Sequence, residues 1–298
     1  MIQLGSEGEL SYPQGIELTL RKDFKQKSTV SGIAKSDNKL FILCEGINKI
    51  AVYQNSQPLP KYITATNLIS PRDIVLCNGI LCISDSTSNC IWKLEGDQLI
   101  PTDTEVTPVK WIDDILNPYT LSATLDGGVI VTTEKSNKVF VYGPNGDLTR
   151  EVLFSDSAHN VSALHAIQRP NGNIVVSYKK LDVTRWRWFV SEFVRTPGGN
   201  EINSAQLPAD LINSRYLALV CQPDRKDVCL LAADFDQSSI IRMDGNLKPH
   251  SVLLSNKFNK IQHPRRMCYD AASNELAITT NNRHILVYSL KVVDYPVN

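Results

Sequence analysis

One pattern recurs along this chain, and it restricts the fold more than any other feature. Residues 82–94 read CISDSTSNCIWKL: a short apolar run, an acidic residue, a few small polar residues, then a second apolar run. The same arrangement, preceded by another apolar run and a tight turn, is written at 31–54 (SGIAKSDNKLFILCEGINKIAVYQ), 71–95 (PRDIVLCNGILCISDSTSNCIWKLE), 118–142 (PYTLSATLDGGVIVTTEKSNKVFVY) and 264–290 (PRRMCYDAASNELAITTNNRHILVYSL). A longer copy occupies 214–243 and a divergent one 162–194. Asn, Asp, Gly and Pro between alternating apolar runs mark hairpin turns, because these residues supply the tight or left-handed backbone that the turn requires. Looser strands follow several copies: YITAT, TREVLF and HSVLL. The copies start near 31, 71, 118, 162, 214 and 264, at intervals of 40, 47, 44, 52 and 50 residues. Four strands per ~40–50 residues, repeated, is the pattern of a β-propeller blade.

Six copies predict an all-β, six-bladed propeller of four-stranded antiparallel blades. The last copy runs out near Asn298 without a fourth strand, while GIELTLRKDF at 15–24 precedes the first copy and suits that role. An unpaired edge is a template for aggregation, and ring closure removes it. The expectation is therefore a lead segment at 1–14 and one domain at 15–298, with 15–24 as the outer strand of the last blade. No segment keeps a 3.6-residue apolar period, so helices should be few.

The acidic residue that ends each second strand (Glu45, Asp85, Glu134, Asp234, with Asn281 in the last copy) has two readings. Asp and Asn bond nearby backbone amides and stiffen turns, a need common to all blades; the alternative is a ring of metal ligands. The structural reading is preferred. Asn48, Asn89 and Asn137 follow near the start of the third strand.

These residues resemble the NHL repeat: a Gly-Ile-Ala first strand, a turn, a second strand ending in an acid, then Asn before an apolar run. SGIAKSDNKLFILCEGINKIAVY and DIVLCNGILCISDSTSNCIWKL carry the likeness best. Blades four and five match loosely, and Tyr178 stands near the acidic place of blade four. The whole chain resembles the C-terminal propeller of invertebrate tripartite-motif ubiquitin ligases. The RING and B-box clusters of those ligases are absent, so the resemblance implies the substrate-recognition part of a larger protein, binding a protein segment or RNA.

There is no GxSxG, HExxH or Gly-rich phosphate loop. The five histidines are scattered, and His165 falls in a first strand, where a satisfied buried imidazole is expected. DFDQS at 234–238 lacks the Gly and Glu of a calcium loop and reads as a turn. No catalytic residue, metal ligand or cofactor is assigned. First-strand starts bring Ser31, Arg72-Asp73, Tyr119-Thr120, Ala163-Leu164, Arg215-Tyr216 and Arg265-Arg266 toward one mouth. Loops after the second strands add Lys49, Lys135, Arg185 and Arg283. Three of six blades bring Arg at one phase, and Arg with Tyr suits phosphate, carboxylate and stacked-base contacts. The candidate binding face is therefore Arg72, Tyr119, Arg185, Arg215, Tyr216, Arg265, Arg266 and Arg283. In blade four, Trp186 and Trp188 alternate with Arg185 and Arg187, as core packing or as a binding surface.

Lys+Arg 31 balances Asp+Glu 31, so no bulk field favours nucleic acid, and a protein segment is preferred to RNA. No DNA or membrane partner is expected, since no apolar run approaches the ~20 residues of a spanning helix; a monomer is. Seven cysteines, an odd number mostly in strands, suit buried thiols in a reducing compartment; with no basic, apolar leader at the N-terminus, the expected site of action is the cytoplasm. The alternative function is a divalent-metal-dependent hydrolase of the lactonase kind.

Overall fold

The computed structural model describes residues 15–36, 38–54, 59–102, 105–153, 161–182, 184–194, 201–206, 214–221, 228–259 and 261–293. Six sheets are arranged as six blades, and each has its inner strand at the predicted start or within one residue of it: Val30–Ser36, Pro71–Cys77, Pro118–Ala123, Val161–Gln168, Ser214–Cys221 and Pro264–Asp270. Each inner strand turns back into an antiparallel second strand, whose alternating Ile, Leu and Val residues bury both faces, as in Lys39–Cys44 and Val129–Thr133. Blades meet through these faces. Val30, Ile33, Ile42 and Tyr53 of the first blade form one cluster with Ala277, Ile285 and Val287 of the last.

The ring closes as the sequence requires. Gly15–Lys25 pairs antiparallel with His284–Val293 over its whole length, from Gly15 opposite Val293 to Lys25 opposite His284. Phe24 then reaches across to the first blade, 4.4 Å from the Tyr53 ring. A second clasp joins the same two blades nearby. There Lys35 Nζ lies 2.8 Å from Asp270 and 3.1 Å from Glu275, buried against both.

Two features depart from the expected blade. The outer strand of blade two, Val109–Ile112, is reached by a long connector. That connector also lays Glu105–Val106 parallel to Lys61–Ala65, giving blade one a fifth strand. In blade four the second and third strands, Ile174–Asp182 and Arg185–Phe193, run past the acidic place of the other blades, so the hairpin extends beyond the ring. Among the described residues helix is confined to Gly96–Leu99 and Asn256–Asn259, and no helix is long and apolar enough to cross a membrane.

At Asp85 and Asp234 the repeated acidic turn is a backbone clamp. Asp85 is fully buried, and its two oxygens accept the amides of Ile69, Ser70, Thr87 and Ser88 at 2.7–3.1 Å. Asp234, equally buried, accepts the amide of Gln237 at 3.0 Å. Asn89, with φ 51°, accepts the Asn117 amide across the same gap. Asp85 thus fastens the entry of its blade to the loop before the third strand, and Asn89 fastens that loop to the entry of the next blade; Glu45 and Glu134 at the same place in their blades are exposed.

Candidate functional site

Every inner strand carries a register shift near its start: between Val30 and Gly32, Pro71 and Asp73, Pro118 and Leu121, Ala163 and His165, Ser214 and Tyr216, Pro264 and Arg266. A bulge leaves a residue unpaired and re-aims the one that follows. The following residues are Gly32, Asp73, Thr120, His165, Tyr216 and Arg266, and their contacts place them at the axis, because blades that are not neighbours meet there. Asp73 of blade two accepts the Leu121 amide of blade three at 3.0 Å and the Tyr216 hydroxyl of blade five at 2.9 Å. Arg266 Nε of blade six lies 3.4 Å from its other oxygen, which also accepts the Ile74 amide. The His165 ring stacks on Tyr216 at 3.7 Å, and its Nδ1 accepts the Leu217 amide at 3.3 Å. At Gly32 a Cβ would stand 2.6 Å from the Ile74 nitrogen, so only glycine fits beside the neighbouring inner strand.

Hydroxyls on the second strands tie down the bulges. Ser84 donates to the Asp73 and Tyr119 carbonyls, Thr132 bonds the Thr120 hydroxyl at 2.6 Å, Ser177 donates to the His165 carbonyl, and Thr279 accepts the Arg266 amide. The recurring Ser or Thr just before the second strand ends, as in ISD, VTTE, VSY and ITTN, was the sequence signal for this level.

Burial sets the electrostatics of this plug. It pushes the Asp73 carboxyl up to about 6, against the pull of Arg266, the Leu121 amide, the Tyr216 hydroxyl and the Ile74 amide, so the group is ionised at neutral pH. Burial and then the Arg266 charge push His165 down to about 3, opposed by a weaker pull from the Leu121 backbone. Burial and the Asp73 charge hold Tyr216 far above its ordinary value. Burial works against the Arg266 charge, but Asp73, Tyr119 and Tyr216 together raise the guanidinium above its usual value.

The predicted binding residues do not form one cluster. Tyr119, Arg265 and Arg266 line one pocket of about 180 Å³ at the face where inner strands start, together with Glu134, Ser162, Leu164, Lys179 and Trp188. Arg265 pairs loosely with Glu45 at 3.6 Å, and Arg266 sits beneath the rings of Tyr119 and Tyr216, 5.5 and 4.9 Å from their centres. Tyr216 is turned to the axis and is 3 % exposed, so it belongs to the plug and not to the surface; Arg266, 8 % exposed, reaches the pocket only from below. Arg72 and Arg283 stay on their own loops, donating to Ser86 at 2.9 Å and to the Lys27 carbonyl at 2.7 Å. Arg185 is exposed at the tip of the extended hairpin. The backbone of Arg215 occupies the bulge of blade five, and its side chain lies outside the described residues. In blade four the bulge falls one residue later than the sequence reading, at Leu164-His165 instead of Ala163-Leu164. Trp188 lines the pocket with its Nε1 unpartnered, while Trp186 is exposed under Lys179, whose Nζ is 4.6 Å from the ring centre.

On the far side of the plug a second, larger chamber of about 280 Å³ opens between the inner hairpin turns. Ile33, Ile74, Leu121, Ile167, Leu217 and Met267, one from each blade, contribute to its wall, and His165 and Tyr216 to its base. Among the described residues no group of three or more His, Cys, Asp or Glu stands close enough to hold a metal ion.

No family model matches the chain, and no curated protein matches its sequence. Solved structures do match its shape. A PQQ-bound aldose sugar dehydrogenase from Streptomyces coelicolor aligns with TM-score 0.68 at 12% identity, over 94% of this chain and 100% of that one. A streptogramin B lyase aligns with TM-score 0.58 at 12% identity over 94% and 100%. A protein described as a putative gluconolactonase aligns with TM-score 0.59 at 11% identity over 95% and 96%. At such identities the likeness establishes the six-bladed propeller and nothing of the chemistry.

Proposed function

We propose that this chain is a non-catalytic recognition propeller of the NHL kind, acting in the cytoplasm as the substrate-recognition part of a larger, tripartite-motif-like protein. Its ligand is a protein segment bearing acidic side chains, taken at the face where the inner strands start. The observation that carries this reading is the makeup of the pocket there. Lys179, Arg265 and the edge of Arg266 converge on it, beside the Trp188 ring, against a single carboxylate, Glu134. Arginine beside aromatic rings recognises carboxylates by directed hydrogen bonds and stacking, and such residues dominate the energetics of protein interfaces. A hydrolase would need a base or a metal-bound water at the axis. The axial carboxylate, Asp73, is fully buried and engaged by two amides, a phenol and the Arg266 charge, so neither water nor substrate reaches it. The NHL likeness is supported by the Asp85 clamp, which gives the motif's acidic position a structural duty that any ligand-binding member needs.

The test uses fluorescence anisotropy with acidic dodecapeptides and with a single-stranded RNA of the same length. Arg265→Glu with Lys179→Glu should weaken peptide binding at least tenfold, the scale of losing one hot-spot arginine at ~2 kcal/mol. Melting should stay nearly unchanged, because exposed charges contribute only ~0–1 kcal/mol. Tighter binding of RNA, with a steep loss of affinity in salt, would replace the peptide reading by a nucleic-acid one. Unchanged binding in the double variant would remove this face as the site.

A further inference from the structure

Blade four carries its second and third strands past the ring, and the rungs it adds have a definite sidedness. Residues directly opposite each other in an antiparallel pair share a face, and successive rungs alternate. Lys179 stands opposite Trp188, and Leu181 opposite Trp186, so these four share one face of the hairpin. Lys180, Arg185 and Arg187 belong to the other face. The Lys179 ammonium lies 4.6 Å from the centre of the Trp186 ring, a contact that only residues on the same side can make. Lys179 and Trp188 line the entry pocket. Leu181 and Trp186, one same-face rung further out, therefore continue the wall of that pocket beyond the ring. This continuation is apolar and open: Trp186 is 39 % exposed and Leu181 is half-buried. A cation over an indole is attracted to the ring without being neutralised, so Lys179 is held in place while its charge stays available to the pocket.

We infer that the ligand is an extended protein segment in which an aliphatic or aromatic residue stands two places from the acidic one and packs on Leu181 and Trp186. This rests on the pocket reading above and adds a second subsite to it. The spacing follows from strand geometry. Same-face rungs of the hairpin, two residues apart, are separated by ~6.6–6.8 Å, and so are the side chains two places apart in an extended ligand. A segment lying along the hairpin with its carboxylate in the pocket thus sets the residue two places away against the wall, while the residue next to the carboxylate points elsewhere. Tryptophan is among the residues that dominate the energetics of protein interfaces, and its ring offers a large apolar contact at low entropic cost. A nucleic-acid base stacked on Trp186 fits less well, because Lys180, Arg185 and Arg187 lie on the opposite face and would not meet its phosphates.

Fluorescence anisotropy of the full chain with three labelled peptides tests the spacing. Their Gly-Ser flanks are identical, and their central residues are Leu-Ser-Glu-Ser-Leu, Ser-Leu-Glu-Leu-Ser or Ser-Ser-Glu-Ser-Ser. The first two share composition and charge and differ only in where leucine stands. The spaced peptide should bind tighter than the adjacent one by about fivefold or more, the worth of burying part of one leucine side chain. Trp186→Ala should bring that ratio to about one. Because the readout is a ratio between two peptides, any displacement of Lys179 in the variant cancels. The melting temperature should not move, since Trp186 is exposed beyond the ring. Equal binding of all three peptides that Arg265→Glu still weakens would keep the pocket reading and overturn the apolar subsite. Tighter binding of the adjacent peptide, or a ratio that survives Trp186→Ala, also overturns it. No saturable binding of any peptide removes both readings. A single-stranded RNA bound more tightly than every peptide and released by Trp186→Ala would overturn the protein ligand and make the wall a base-stacking one.

Discussion

The axial plug contains two groups whose protons move in opposite directions on unfolding, and this gives a prediction with a fixed sign. His165 is held down to about 3 in the fold and returns to ~6.5 in the unfolded chain. As pH falls below ~6.5 the unfolded chain takes up a proton that the fold refuses, so the stability His165 contributes is lost progressively toward pH 3, at about 1.4 kcal/mol per pH unit. Asp73 does the reverse. Its carboxyl is raised to about 6, against ~3.9 unfolded, so below 6 the fold takes up a proton first and stability is gained until ~3.9. Between about pH 6 and 4 the two slopes cancel, and the plug is silent in the native protein. Removing either partner uncovers the other. His165→Gln keeps an acceptor for the Leu217 amide; from pH 7 to 4 its unfolding free energy should rise by about 3 kcal/mol relative to the parent. Asp73→Asn should fall by about 3 kcal/mol over the same range, from a level already lowered by ~3–5 kcal/mol because Arg266 is left buried without its counter-charge. Urea unfolding at pH 7, 6, 5 and 4 measures both, and taking differences from the parent cancels every other titrating group. A His165→Gln offset that does not change with pH would refute the assignment of His165 as a neutral buried base.

Two further outcomes follow from the ring. Gly32→Ala should lower stability by ~1–3 kcal/mol in the same urea assay, because its Cβ would meet backbone atoms of Asp73 and Ile74 at 2.6–3.0 Å and backbone cannot give way as a side chain does; a variant as stable as the parent would mean that the inner strands separate freely. Deleting residues 1–24 strips the outer strand from the last blade and the Phe24–Tyr53 contact, and should produce oligomers on size exclusion, whereas a monomer melting like the parent would dismiss the closure as a source of stability.

The blade pattern was legible because its signals are local. Turn residues such as CNG and LDGG and the alternation of Ile, Val and Leu belong to single hairpins, and they located all six inner-strand starts at the residue or one away without any tertiary information. The closing strand was legible by arithmetic: the last blade lacked one strand and 15–24 was the spare. What escaped was either non-local or a matter of parity. Glu105–Val106 pairs with Lys61–Ala65 through two residues of a long connector, which leaves no periodic trace. The bulge in each inner strand turns the next residue to the axis, so Arg266 and Tyr216, read as mouth residues beside Arg265 and Arg215, point inward instead. In blade four the bulge lies one residue later than the sequence phase placed it, and His165 takes the axial place given to Leu164.

The plug also determines how the two faces can diverge. An axial channel open from end to end would let a charge at one mouth act on the other through a water-filled path. Among the described residues the axial charges, Asp73 and Arg266, lie 3.4 Å apart and cancel, and His165 is neutral. Blades supply the plug with one residue each, while Tyr119, Leu164 and Arg265, each at its bulge, line the entry pocket, and residues further along the inner strands line the chamber. Successive positions on a single inner strand therefore serve three separate environments. Substitution at Arg265 leaves the plug intact, and substitution at Ala123 leaves the entry pocket intact. That separation is what lets the entry-face and plug experiments fail or succeed independently of each other.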